Sequence, residues 1–428
     1  MASEITLRGP RLTLRGRWVV PVVSPPIAEG WVRIERGRVA AIGRGDPGGP
    51  CFDLGDVVML PGLVNAHTHL EFSHFTSPLS PAAGHDGLPG WIRAVVASRR
   101  ERAADSQTEA ATVEAAVRVG LAESAAEGVT AIGEIATRIT AVHGEPSGPR
   151  LRVFREGLGV AFDVSKVVVR GVERDLDRLA RRGVPAGVSP HATYSVASSL
   201  GRDLLAIAGE RRLPAAMHLA ESPDEDAFAR EGTGCWRDLL RDLGAWNAAS
   251  PPQLLPVAEW IGRLARLPRA VVVHATFLDD AALARLARHA DRLAVAVCPR
   301  TAKSLAGMLP PIARLRSAGV RIAIGTDSRA SSPDLSVRRE CAELVGAGIA
   351  SPEEAVRMAT LDAAWAIGLE STSGRIAVGR PADLAVLSMH APDADPFEAA
   401  IDPCNRVVAT LRGGRPIHES AGCMPFRD

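Results

Sequence analysis

The alternation of apolar and polar positions divides the chain into three parts. The first sixty residues read as β, with β-branched stretches at Ile5–Leu14, Trp18–Val23 and Trp31–Ile42 broken by Gly, Pro and Ser clusters. The last sixty read the same way: Asp383–Leu387 and Arg406–Leu411, punctuated by Gly379-Arg380-Pro381 and Gly413-Gly414. Neither end has enough strands to close its own core. The pattern therefore predicts one small β-sandwich built from both chain ends, 1–57 with 370–428.

Between them, short apolar runs alternate with amphipathic stretches. Strands are predicted at Val58–Val64, Val129–Ile135, Leu151–Leu158, Ala186–Ser189, Ala215–Leu219, Ala270–His274, Leu293–Cys298 and Val320–Gly325. Helices are predicted at Ala110–Glu127, Val172–Arg182, Leu200–Arg211, Ala281–His289 and Pro311–Ala318. Another opens at Ser351-Pro352-Glu353-Glu354, with Ser as N-cap and Pro at the first helical position. Eight strands each followed by helix predict an α/β fold, a (β/α)8 TIM-type barrel over 58–369. A doubly wound open sheet is the competing architecture. It normally carries a glycine-rich phosphate turn after its first strand, and the chain has none. The long connection Glu221–Glu259, with Trp236 and Trp246, reads either as a lid over the barrel mouth or as a helical excursion on its flank.

Composition narrows the function classes. A net charge of +1 over 428 residues gives no basic stripe for nucleic acid and no basic membrane-binding face. No apolar run approaches the ~18 residues needed to span a bilayer, and the start lacks the pattern of a signal peptide. The six cysteines (Cys51, Cys235, Cys298, Cys341, Cys404, Cys423) are scattered without a Cys-x-x-Cys. That usage suits reduced thiols and a cytoplasmic location.

The predicted strand ends carry the chemistry. Barrel active sites form at the C-terminal ends of the strands. The first strand ends in His67-Thr68-His69, the fourth in Ser189-Pro190-His191 and the fifth in His218-Leu219-Ala220-Glu221. The sixth ends in His274 and the eighth in Gly325-Thr326-Asp327. Five of the eleven histidines thus end predicted strands, where chance would scatter them. One strand-end histidine can be a packing or capping residue. Several converging with an aspartate predict a metal site, since zinc-like ions take neutral imidazole nitrogens at about 2.0–2.1 Å. His74, His85, His143, His289, His390 and His418 read as solvated or structural. The His-x-Glu with Pro-Cys-x-x-Cys design, His-Glu-x-x-His and Gly-x-Ser-x-Gly are all absent.

His67-Thr-His69, His218 with Glu221, His274 and Gly325-Thr-Asp327 resemble the amidohydrolase superfamily. More narrowly, they resemble the nucleoside and nucleobase deaminase branch that includes S-adenosylhomocysteine and aminodeoxyfutalosine deaminases and triazine chlorohydrolases. Pro190-His-Ala-Thr-Tyr-Ser195, the run Gly325–Ser331 and Gly379–Val386 carry the same resemblance, which spans essentially the whole chain. It implies one divalent metal ion, zinc first and iron or manganese as alternatives, held by His67, His69, His218 and Asp327. His274 would orient the attacking water, Asp327 would double as base, and Glu221 would shuttle a proton; the plain reading of Glu221 is a helix cap. Two-metal relatives use a carboxylated lysine at a middle strand end, whereas Lys166 and Lys303 both lie elsewhere.

The implied activity is hydrolytic deamination of an adenine-like, purine-nucleoside small molecule. His191, Arg300, Glu71 and Trp91 are the candidate substrate-binding residues, each with a plain structural alternative. The run Cys298-Pro-Arg-Thr-Ala-Lys-Ser304 departs from the branch's Cys-Pro-x-Ser-Asn type by placing Thr301-Ala302 at the polar pair. Arg300 and the run His67-Thr-His-Leu-Glu71 lean the expectation to an aminodeoxyfutalosine-like substrate, whose benzoate carboxylate needs a cation. The competing readings are S-adenosylhomocysteine, adenosine or guanine deamination, triazine or cyclic-amide hydrolysis, and a catalytically silent interaction module. A homodimer is the base-rate expectation for assembly.

Overall fold

The computed structural model describes residues 11–102, 106–249 and 251–420. Cys423 and the part of the predicted strand Ile5–Leu14 that precedes Arg11 lie outside them. Eight parallel strands follow one another in chain order around a barrel. They are β1 (Leu63–Thr68), β2 (Val129–Ala136), β3 (Arg150–Gly157), β4 (Ala186–Pro190), β5 (Ala215–Leu219), β6 (Ala270–His274), β7 (Leu293–Val297) and β8 (Arg321–Ile324). Alternation within each strand separates two cores. Val271 and Val273 face the barrel interior with Ala216, Ala294 and Ala323. Val272, Val295 and Ile322 face the surrounding helices.

One end of the barrel is plugged. The helix Leu361–Ala366 packs its alanines and the following Ile367 into the interior core. Arginines at or near strand starts hold it there: Arg269 donates to Trp365 O at 2.8 Å and Arg152 to Ile367 O at 2.8 Å. The N-terminal mouth is thereby closed, and access is from the C-terminal strand ends. The Ser351 cap is present as a reciprocal capping box with Glu354.

A second sheet is formed by both chain ends. Its N-terminal strands Arg11–Val19, Ile27–Glu35 and Arg38–Arg44 join Val57–Pro61 and the C-terminal strands Leu384–Ser388, Val407–Arg412 and Arg415–Glu419. Two hairpins in it follow from the turn residues. Arg36-Gly37 and Gly413-Gly414 all have positive φ, the geometry of the two-residue turn that matches strand twist. The first of these splits the stretch predicted as Trp31–Ile42 into two strands. The sheet's inward residues, among them Leu14, Val32, Met59, Leu384 and Leu411, share one apolar core.

The predicted strand Val58–Val64 is divided between the two sheets. Val57–Pro61 pairs antiparallel with Leu384–Ser388, whereas β1 starts at Leu63. Gly62 makes the crossing, because a Cβ there would sit 2.1 Å from the Thr130 side chain. No helix among the described residues is long and apolar enough to cross a membrane.

Candidate metal centre and substrate cavity

The barrel closes where its first and last strands meet, and the site is built on that seam. Thr326 and Asp327 donate their backbone N–H groups to His67 O at 3.0 and 3.1 Å, and His69 N donates to Asp327 O at 3.0 Å. Thr68 Oγ1 donates to Asp327 O at 2.6 Å, and Asn65 Nδ2 to Thr326 Oγ1 at 2.7 Å. Gly325 permits this approach: a Cβ there would lie 2.7–2.9 Å from the His67 backbone and side chain. The β1 pairing slips between Asn65 and Thr68, a bulge of the kind that re-aims side chains.

Four imidazoles and one carboxylate converge there, all buried. The ring of His67 lies 5.0 Å from that of His69, 4.9 Å from that of His218 and 5.7 Å from that of His274. Asp327 Oδ1 is 3.5 Å from His67 Nε2 and 3.8 Å from His69 Nε2. His69 Nε2 and His218 Nε2 are 3.2 Å apart. Two overlapping triads, His67–His69–Asp327 and His67–His218–His274, have the spacing to hold a metal ion, and a third group, Glu156–His191–His218, adjoins them through His218. Backbone geometry here is unusual: Ala220, His274, Ala275 and Asp327 are non-glycine residues with φ of 55–69°. Such strain concentrates at functional sites.

The donor chemistry fits a cation. Both ring nitrogens of His67 and Nδ1 of His69 are buried without a hydrogen-bond partner. Unpaired buried polar atoms are costly, so nitrogens left bare in a cluster call for a bound electrophile. Burial and the neighbouring imidazoles depress the basicity of His69 and His218, and burial does the same to His274, so all three stay neutral. Asp327 is buried, yet the imidazoles around it hold its carboxyl well below the usual range. Ser331 Oγ donates to its Oδ2. His218 Nδ1 lies 2.9 Å from His191 O, which fixes the ring so that Nε2 faces the cluster.

Glu221 borders the cavity above this cluster, with Oε1 3.3 Å from His274 Nε2. Burial, with Asp327 and Glu225 adding to it, pushes its carboxyl well above the usual range. It does not cap the following helix, Glu225–Glu231, whose N-cap is Asp224. Glu225 instead accepts the Glu221 N–H at 2.9 Å and holds the loop in place.

The cavity opening from these groups has strongly apolar walls. Phe72, Trp91, Val95, Leu158, Leu240 and Leu243 form much of the lining, and His69, His191, His218, Glu221, His274 and Asp327 form the floor. Trp91 anchors its helix by donating Nε1 to Ala330 O at 3.0 Å. The segment predicted as lid or flank is both. Its helix Cys235–Asp242 brings Leu239 and Leu240 to the cavity, and Trp236 stacks on Tyr194 with ring centroids 3.7 Å apart. Val257–Leu264 packs Trp260 and Ile261 against the barrel flank.

Two expected substrate residues stand elsewhere. Arg300 does not line the cavity. Its Nε donates to Glu340 at 2.7 Å and its Nη2 to Asp334 at 2.7 Å, in a buried ion network behind β7. The helix Pro299–Ala306 begins immediately after the strand and turns the side chain away. Glu71 lies one layer outside the cavity, accepting from Arg99 at 2.8 Å and from Thr137 at 3.0 Å.

Two charged lining residues escaped the sequence reading, Arg99 and Glu156. Arg99 had a signal, because Trp91, Val95 and Arg99 recur at i, i+4, i+8 on the helix Gly87–Arg102. Glu156 had a signal too, as the penultimate residue of β3 at the strand end that faces the site.

Residues 58–417 match the model of the amidohydrolase family. A protein of Halobacterium salinarum named 5-methylthioadenosine/S-adenosylhomocysteine deaminase is 28% identical over 388 residues, covering 86% of this chain and 82% of its own. The Helicobacter pylori aminofutalosine deaminase, solved in complex with methylthio-coformycin, superposes with a TM-score of 0.79. It is 21% identical, covering 95% of this chain and 99% of that one. A Xanthomonas campestris adenosine deaminase solved with bound zinc gives a TM-score of 0.70 at 23% identity, covering 95% and 92%.

Proposed function

The chain belongs to the amidohydrolase family, and from that premise we propose that it is a metal-dependent hydrolytic deaminase of an adenine-like nucleoside. The observation that carries the reading is the buried cluster of His67, His69, His218, His274 and Asp327 beneath Glu221, whose burial favours its protonated form. The relative named as a 5-methylthioadenosine/S-adenosylhomocysteine deaminase supports the substrate class. His67, His69, His218 and Asp327 would hold one divalent ion, zinc first among the candidates. Such an ion lowers the pKa of water to about 7, making a nucleophile available at neutral pH.

The protein groups divide the proton work. Asp327, kept ionised by its imidazole neighbours, accepts a proton from the attacking water. Glu221, kept protonated by burial, donates to the ring nitrogen beside the amine-bearing carbon and makes that carbon electrophilic. Glu221, then ionised, takes the proton of the newly added hydroxyl and passes it to the departing amine, which leaves as ammonia, and the proton held by Asp327 returns to Glu221 so that both carboxyls are reset. Positioned proton transfer of this kind contributes on the order of 10²–10⁴-fold. His274 is held neutral 3.3 Å from Glu221, where it orients both the carboxyl and the water. The apolar walls keep bulk water away from the reacting carbon.

The sequence expectation of a carboxylate-bearing, aminodeoxyfutalosine-like substrate relied on Arg300. That cation is occupied by Glu340 and Asp334. Arg99 is the arginine at the cavity, paired to Glu71. A substrate carboxylate would have to share it. Ammonia release from a panel of adenosine, 5-methylthioadenosine, S-adenosylhomocysteine and an aminofutalosine-type nucleoside tests the proposal. Turnover of at least one with zinc is expected, and no ammonia from any of them by zinc-loaded protein would overturn it.

A further inference from the structure

Glu156 is a buried carboxyl that the deamination chemistry does not use. It borders the cavity from the end of β3, its side chain is 2% exposed, and its Oε1 has no hydrogen-bond partner. His191 Nε2 faces that oxygen at 4.0 Å, too far for a direct hydrogen bond. The other side of the His191 ring is taken, with Nδ1 2.5 Å from Ser195 Oγ. Arg99, which borders the same cavity, is engaged with Glu71. Two polar atoms from neighbouring strand ends thus face each other across 4.0 Å at the border of the cavity.

A buried carboxylate oxygen of this kind needs a donor. The group required is narrow in either imidazole tautomer. If Nε2 carries the proton, one hydroxyl accepts from Nε2 and donates to Glu156. If Nε2 is bare, two adjacent hydroxyls donate, one to each atom. With Glu156 ionised, carbonyls, ethers and carboxylates fail in both cases, whereas a hydroxyl, donor and acceptor at once, also serves when Glu156 is protonated. Accepting the reading of the site as a nucleoside deaminase, we propose that Glu156 and His191 form a sugar-hydroxyl subsite, so that Glu156 is a specificity-determining residue that selects ribonucleosides over deoxynucleosides.

The test compares adenosine with its 2′-deoxy and 3′-deoxy analogues on wild type, Glu156→Gln and Glu156→Ala. Sites built to hydrogen-bond a hydroxyl reject analogues that lack it, because a buried polar group is left unpaired. Wild type should lose roughly 10–100-fold in kcat/KM on at least one deoxy analogue, the scale of one hydrogen bond to a charged group. Both variants should flatten that ratio while keeping zinc content and melting temperature. Calorimetric binding of the same three nucleosides supplies a readout independent of turnover. If no nucleoside is deaminated, the activity assignment fails, and the binding ratio alone decides the subsite. Equal treatment of ribo and deoxy nucleosides by wild type would overturn the inference. So would unchanged discrimination in both variants, or zinc loss in Glu156→Gln, which would make Glu156 part of the metal centre.

Discussion

Replacing Arg300 by methionine separates a structural arginine from a substrate-binding one. Its guanidinium is 13% exposed and bonds Glu340, which is wholly buried, and Asp334. Asp334 keeps a second partner in Arg339 at 2.6 Å, so Glu340 alone loses its charged partner and keeps only the backbone N–H of residue 300, at 2.8 Å from its Oε2. Removing one partner of a buried pair costs about 3–5 kcal/mol. The sign with pH follows from Glu340. Burial pushes its carboxyl up to about 7 even with Arg300 beside it, above the ~4.3 of an unfolded chain. The folded state therefore favours its protonated form, and its contribution to stability is full below about 4.3 and lost as pH rises through 7. Without Arg300 the folded value climbs further. Urea unfolding of Arg300→Met should show a larger loss at pH 8 than at pH 5, and the double variant Arg300→Met/Glu340→Gln should recover much of it. Selectivity between carboxylate-bearing and neutral nucleosides should stay unchanged. Wild-type stability at both pH values combined with altered selectivity would refute the reasoning.

Two further perturbations probe the site directly. Glu221→Gln should lower kcat by about 10²–10⁴-fold while leaving metal content intact; retained turnover, measured as ammonia release, would remove Glu221 from the proton path. Gly325→Ala places a methyl against the His67 backbone at 2.7–2.9 Å, so it should part the β1–β8 seam and lower metal affinity. Unchanged zinc titration of that variant would show that the seam does not set the ligand geometry.

The barrel was legible because strand and helix periods differ and because each strand is short and bounded. Ala215–Leu219 and Ala270–His274 match the prediction at both ends. The first strand was misread, because Val57–Val64 is apolar throughout and periodicity alone cannot show that Gly62 passes it from one sheet to another. The convergence of the strand-end histidines was legible for the same reason that they are functional: their positions depend on topology alone. Arg300 was not. A side chain's direction three residues past a strand depends on the helix that starts there, and its partners Asp334 and Glu340 lie over thirty residues on. Glu71 shows the same limit, since Arg99 and Thr137 reach it from other elements.

Anomalous diffraction at the zinc edge, from crystals of the zinc-loaded chain, tests the metal-centre assignment most directly. One peak is expected, about 2.0–2.2 Å from nitrogens of His67, His69 and His218 and from a carboxylate oxygen of Asp327. A peak held by other residues, or no peak at a chain shown to be loaded and folded, would contradict the assignment.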